Sequence, residues 1–134
     1  MNRILVIDDG LGITELIRDV LQRFGYVVET ASNGQQGLQL FDDAIFDLVV
    51  TDMLLPDMHG KHVVRHIRNS SRPYTPVIGI SGTPWLLYGA NCDATLPKPF
   101  PLRSLIEWVN RLTRHNIPEI STDHQFPLNF QQIV

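Results

Sequence analysis

Residues 48–60 run Leu48-Val49-Val50-Thr51-Asp52-Met53-Leu54-Leu55-Pro56-Asp57-Met58-His59-Gly60. A short apolar run that stops on a carboxylate reads as a buried parallel strand delivering that carboxylate into a loop. Beyond Pro56 and Gly60, Val63, Val64 and Ile67 fall on one side of a helix. The same unit of strand, polar loop and helix recurs on both sides. Upstream, Ile4 to Ile7 stops at Asp8-Asp9-Gly10, and Ile13, Leu16, Ile17, Val20, Leu21 and Phe24 form a helical stripe with Gly25 as its stop. Tyr26 to Thr30 then reads as extended, Asn33-Gly34 as a turn, and Leu38 with Phe41 as the apolar side of a shorter helix.

Downstream, Pro73 and Pro76 lead into Val77-Ile78-Gly79-Ile80, followed by the polar Ser81. Ala94-Thr95-Leu96 is a brief fifth strand ending near Lys98. A last helix begins at Pro101 and carries Leu102, Leu105, Ile106, Val109 and Leu112. Five strands alternating with helices imply right-handed crossovers and a doubly wound α/β fold, with its site at the carboxyl ends of the strands.

The polar residues expected at those ends are Asp8 and Asp9, Asp52, Ser81 and Lys98. Carboxylates brought so close repel one another and shift upward in pKa unless a hard divalent cation sits among them. Magnesium suits such a set, because it takes a few protein oxygens and leaves positions for phosphate oxygens. Lys98 and the Ser81 hydroxyl are candidates to stabilise a transferred phosphoryl group, which makes the crevice a phosphoryl-transfer site with a carboxylate nucleophile.

With 134 residues, 43% hydrophobic and 19% charged, the chain is expected to form one domain. A net charge of −3 argues against nucleic acid or acidic membranes as bulk-electrostatic partners. The single Cys92 excludes an intramolecular disulfide. No signal-type apolar stretch precedes Arg3-Ile4-Leu5-Val6, so a reducing cytoplasm is the expected compartment.

Over residues 2–113 the chain resembles the receiver domain of bacterial response regulators. The resemblance rests on Asp8-Asp9 after the first strand, Asp52-Met-Leu-Leu-Pro56 with Gly60 beyond it, Ser81-Gly82 after the fourth, and Lys98-Pro99-Phe100. It implies a flavodoxin-like sheet of order 2-1-3-4-5 and Asp52 as phosphoacceptor. It also implies Asp9 as a direct magnesium ligand, Asp8 acting through water, and the Leu54 backbone carbonyl as a further ligand. Ser81 would move to the phosphoryl group, Lys98 would pair with it, and the Lys98-Pro99 bond would be cis. The implied donor is a phosphohistidine on a histidine kinase or histidine phosphotransfer protein. The output protein is unknown, and a homodimer is left open. The domain would be a switch acting only on its own aspartyl phosphate, not an enzyme with a separate metabolite.

The chain departs from the family in several places. Ser81 to Lys98 is too short for a full fourth helix, leaving one turn that Thr83 caps, Pro84 opens, Trp85 to Tyr88 fill and Gly89 ends. That turn is either a partner-binding patch or buried against the sheet. Thr95 stands where the family carries an aromatic residue that changes rotamer on phosphorylation, so the signal is expected to leave through Trp85 instead. Gly10 replaces a commonly acidic residue. After Thr113 the pattern fades into a tail, or a linker cut short, whose Phe126, Leu128 and Phe130 favour an extended docked segment.

The spacing of His59, His62 and His66 raises a zinc site. A solvated flank is the stronger reading, since no cysteine or carboxylate completes the set. Two rival functions compete with this reading. A pseudo-receiver working without phosphorylation is motivated by Thr95 and opposed by the intact acidic pocket. A phosphatase, nucleotide enzyme or flavodoxin proper lacks the required Gly-rich phosphate loop or Asp-x-Asp pair.

Overall fold

The computed structural model describes residues 2–113. In chain order it contains β1 (Arg3–Ile7), α1 (Leu11–Arg23), β2 (Val27–Ala31), α2 (Gly34–Asp43), β3 (Leu48–Asp52), α3 (Gly60–Arg68), β4 (Val77–Ser81), a 3-10 turn (Pro84–Leu87), β5 (Ala94–Pro97) and α4 (Leu102–Thr113). All five strands are parallel and ordered 2-1-3-4-5, as expected.

Alternation along the strands divides the core into two layers. Ile4, Val6, Leu48, Val50, Ile78 and Ile80 face α1 and α4, while Leu5, Ile7, Val49 and Val77 face α2 and α3. All five residues of β3, and all five of β4, are buried, as central strands of a doubly covered sheet must be. A smaller cluster of Met53, Leu87 and Ala90 lies under the 3-10 turn. That cluster closes the sheet where a full helix is missing.

Register determines which residues meet above the sheet. Ile7 pairs with Thr51, so Asp8 and Asp52 leave neighbouring strands at the same level. Ser81 pairs with Pro97, which places Lys98 one residue beyond the serine's level. The backbone confirms this join, with Lys98 N–H donating to Ser81 O at 2.7 Å.

Several boundaries differ from expectation. Asn33-Gly34 is no turn: Asn33 caps α2, its side chain accepting Gln36 N–H at 2.8 Å, and Gly34 is already helical. β2 starts one residue later than expected and runs through Ala31. Pro101 precedes the last helix instead of opening it. Thr83 makes no side-chain cap, although Pro84 does open the turn, which stops at Leu87 with Tyr88 as its C-cap, one residue short of the expected end and ahead of Gly89 at φ +69°. Gly25 likewise adopts φ +90° after α1, a conformation open to glycine at little cost. The segment expected to dock around Phe126, Leu128 and Phe130 lies outside the described residues.

Arg68 ties α3 to the opposite end of the sheet. Its guanidinium donates to the carbonyls of Pro73 (2.8 Å) and Thr75 (2.7 Å) and pairs with Asp93 (2.8 Å). The same Asp93 oxygen accepts Val77 N–H at 2.8 Å, which fixes where β4 begins. No helix among the described residues is long and apolar enough to cross a membrane.

Candidate functional site

Asp8, Asp9 and Asp52 each bring a carboxylate oxygen to within 4.8 Å of the others, the one such cluster of potential metal ligands among the described residues. Asp8 and Asp52 are buried at 2% and 7% exposure, whereas Asp9 is exposed. Lys98 reaches across from β5, its Nζ 3.0 Å from Asp52 Oδ2 and 3.3 Å from Asp8 Oδ2. With all groups ionised, three carboxylates and one ammonium leave two net negative charges. A hard divalent cation fits that deficit and an all-oxygen donor set.

The electrostatics agree. Burial raises the pKa of Asp8, against the lowering effect of the Gly10 N–H, which donates to Oδ1 at 2.8 Å, and of Lys98. Burial pulls Lys98 downward, but the Asp52 hydrogen bond and the Asp8 charge outweigh it, so its pKa is raised. The lysine therefore stays charged. It serves as the pocket's internal counter-ion when no other cation is present.

The remaining expected residues are in place, some with unexpected partners. Leu54 N–H donates to Asp52 Oδ1 at 2.9 Å, and Leu54 is 52% exposed on the wall of a cleft of about 460 Å³. Asp9, Asp52, Ser81, Thr83 and Lys98 line the same cleft. The buried Ser81 hydroxyl does not reach Asp52. It accepts Thr83 N–H at 2.9 Å and donates to Thr83 O at 3.1 Å, latching the first residues of the loop into the 3-10 turn. The Lys98-Pro99 bond is cis. Thr95 points outward and is exposed, as are Trp85 (68%) and Tyr88, while Leu87 is buried. The turn is thus half core and half surface.

Gly60 allows a close approach after the acidic loop: a Cβ there would lie 2.6 Å from Asp52 O and 2.7 Å from Met53 Cα. The three histidines do not converge on a metal. His59 precedes α3, and His66 pairs with Asp42 of α2 at 2.8 Å, beside its edge-on contact with Phe41. Sequence reasoning also missed Asp57. Its carboxylate oxygens accept Gly34 N–H (2.8 Å) and Gln35 N–H (2.9 Å), and these donors hold its pKa below the ordinary carboxylate value. No spacing rule links a loop aspartate to a helix more than twenty residues upstream.

Comparison with known proteins agrees with this geometry. The response regulator receiver domain family matches residues 4–110. The transcriptional regulatory protein CpxR of Escherichia coli (strain K12) is 32% identical over 121 residues, covering 87% of this chain and 51% of that protein. TrcR of Mycobacterium tuberculosis is 30% identical over 119 residues, covering 85% and 46%. The chain thus spans about half the length of the curated relatives it matches. Among solved structures, chemotaxis response regulator CheY4 of Vibrio cholerae superposes with a TM-score of 0.76 at 29% identity, covering 84% of this chain and 98% of that one. Response regulator TrrA of Thermotoga maritima, in complex with Mg(2+)-BeF, gives 0.76 at 32% identity, covering 84% and 99%. With its strand order, its acidic cluster and the family match over residues 4–110, the chain belongs to the response regulator receiver domain family.

Proposed function

We propose that this domain accepts a phosphoryl group on Asp52 from the phosphohistidine of a histidine kinase or histidine phosphotransfer protein, in a magnesium-dependent reaction. The aspartyl phosphate would then change its binding to an output protein in the cytoplasm. The observation that carries this reading is the Asp52 carboxylate at the carboxyl end of a central strand, with Lys98 3.0 Å away and Asp8 and Asp9 beside it. TrrA in complex with Mg(2+)-BeF supports magnesium in such a site. Incubation with magnesium and acetyl phosphate, followed by intact mass, tests it.

In the proposed step an Asp52 oxygen attacks phosphorus in line with the departing imidazole. The new P–O bond forms as the P–N bond breaks, and the electron pair stays on the ring nitrogen, which takes up a proton. Magnesium held by Asp8, Asp9, Asp52 and the Leu54 carbonyl would supply positive charge to the phosphoryl oxygens. Lys98, already hydrogen-bonded to Asp52, follows the negative charge onto the phosphoryl group. Such chemistry acts on the domain's own side chain.

Leu54 lies two residues past Asp52 on the cleft wall and offers no side-chain hydrogen bond to a hydrolytic water. The Leu54→Asn variant is expected to lose its phosphoryl group about tenfold faster, which needs only about 1.4 kcal/mol of barrier. Decay of the labelled protein measured by mass gives the answer directly. Equal lifetimes would remove water positioning as the reason.

The output route proposed here runs from Ser81 through the turn. If the Ser81 hydroxyl turns to the phosphoryl group, it must release Thr83, and Trp85 follows within two residues. Thr95, small and exposed, offers no aromatic relay. Adding beryllofluoride and magnesium should therefore change Trp85 fluorescence in a Trp108→Phe background, which removes the second indole. Confirmed binding with an unchanged spectrum would count against this route and favour a pseudo-receiver.

A further inference from the structure

The loop joining β3 to α3 is fastened at both of its ends. Near Asp52, Leu54 N–H donates to Asp52 Oδ1, Gly60 N–H donates to Met53 O at 2.9 Å, and Leu54 bridges His59 in antiparallel fashion. Leu55 N–H donates to Met58 O at 3.1 Å, which narrows the loop into a hairpin with Pro56 and Asp57 at its tip. Asp57 fastens that tip to α2. Its two oxygens take the N–H groups of Gly34 and Gln35, the first two residues of α2, at 2.8 and 2.9 Å.

A side chain at the neighbouring position reinforces the clamp. Met58 occupies the space a Gly34 side chain would need, since a Cβ at Gly34 would lie 2.4 Å from Met58 Cγ and Sδ. The helix does not depend on Asp57 for its ordinary cap. Asn33 already supplies that, accepting Gln36 N–H at 2.8 Å. Asp57 instead takes two of the four amide donors that the start of any helix leaves without an intrahelical partner, and the contact joins α2 to a loop whose other end forms the proposed metal site.

We infer that Asp57 is a positioning residue for that site: by clamping the loop tip to the start of α2, it fixes the Leu54 backbone against Asp52 and so tunes magnesium affinity without touching the metal. This rests on the metal-dependent reading of the acidic cleft given above. A group that orients a metal-binding backbone contributes because the loop need not be ordered when the ion binds.

The test is a magnesium titration of the intact chain followed by backbone amide NMR shifts, with hydrogen exchange at Gly34, Gln35 and Leu54 and thermal melting in parallel. Asp57→Ala should weaken magnesium binding about tenfold, the lower end of what losing a ligand-orienting partner costs. It should also raise exchange at all three amides. Asp57→Asn, which keeps one carbonyl acceptor, should fall between Asp57→Ala and wild type. Asn33→Ala removes the cap of the same helix without touching the loop. It should lower the melting temperature comparably and leave magnesium affinity within about twofold, the range of an unrelated surface change.

Equal magnesium dissociation constants for Asp57→Ala and wild type, or equal weakening in Asp57→Ala and Asn33→Ala, would overturn the positioning role. An Asp9→Asn control separates that failure from a deeper one. If Asp9→Asn binds magnesium as wild type does, the metal-site reading falls and the inference with it. If Asp9→Asn loses binding while Asp57→Ala keeps it, only the inference is overturned.

Discussion

The Asp52→Asn variant gains no phosphate from acetyl phosphate and magnesium under conditions in which wild type gains one per molecule. The amide is nearly isosteric with the carboxylate and its oxygen can still accept the Leu54 N–H, so the loop stays in place. What disappears is the nucleophile, because a neutral amide oxygen does not form a stable acyl phosphate. Removing a reacting group of this kind commonly costs at least about a thousandfold in rate. The substitution also brings an amide toward Lys98 where an acceptor had been, but it lightens the charge carried by three crowded carboxylates. Those effects oppose each other, and the fold is expected to survive. Circular dichroism would confirm that, and intact mass would count the phosphates. Full labelling of Asp52→Asn would place the acceptor elsewhere.

Much of this site could be read from the chain because strand ends announce themselves chemically. Ile4 to Ile7, Leu48 to Val50 and Val77 to Ile80 are apolar until a polar residue interrupts them, and the two-sided burial of a parallel sheet requires such runs. Once strand order is inferred, Asp8, Asp52, Ser81 and Lys98 must share one end. Partner choice within that end was not legible. Nothing in the sequence distinguishes a Ser81 hydroxyl aimed at Asp52 from one closed upon Thr83, since the difference is one side-chain rotation. Lys98 was expected to pair with a transferred phosphoryl group. Its partners before any transfer were not legible: it neutralises Asp8 and Asp52, because a charged lysine in a half-buried pocket takes the nearest anions.

Local signals failed where two structures share one composition. Asn33-Gly34 suits a tight turn and a helix cap alike, and Gln36 N–H and the distant Asp57 decide for the cap. The spacing of His59, His62 and His66 suits one side of a helix, and α3 holds the last two while His59 only precedes it. That spacing could not show that the Asp42 carboxylate of α2 would lie 2.8 Å from His66 Nε2 while, among the described residues, no set of three ligands forms around the histidines.

Gly60→Ala is expected to be the most damaging of the glycine substitutions near the site, and its reason differs from the usual one for glycine. Gly60 is the first residue of α3 and needs no left-handed backbone, so an alanine there would ordinarily favour the helix by about 1 kcal/mol. The opposing effect is steric and falls on atoms that cannot move aside. An added Cβ would lie 2.6 Å from Asp52 O and 2.7 Å from Met53 Cα, both backbone atoms, with Met53 Sδ at 2.8 Å. Overpacking of this kind costs about 1–3 kcal/mol, and contacts with rigid backbone put the cost at the upper end. The net loss should lower the melting temperature by about 10 °C for a domain of this size. It should also push β3 and the start of α3 apart where Asp52 is held, slowing phosphorylation along with unfolding the chain more readily. Gly12→Ala provides the comparison, for Gly12 lies in the first turn of α1 with nothing within 4 Å of its added Cβ. That variant should be neutral or more stable by up to about 1 kcal/mol, chiefly by restricting the unfolded chain. Thermal melts of the two variants, with labelling by acetyl phosphate, separate a cost of close approach from a general intolerance of alanine. If Gly60→Ala melts as wild type does, the approach of α3 to β3 is not the constraint that holds Asp52 in place.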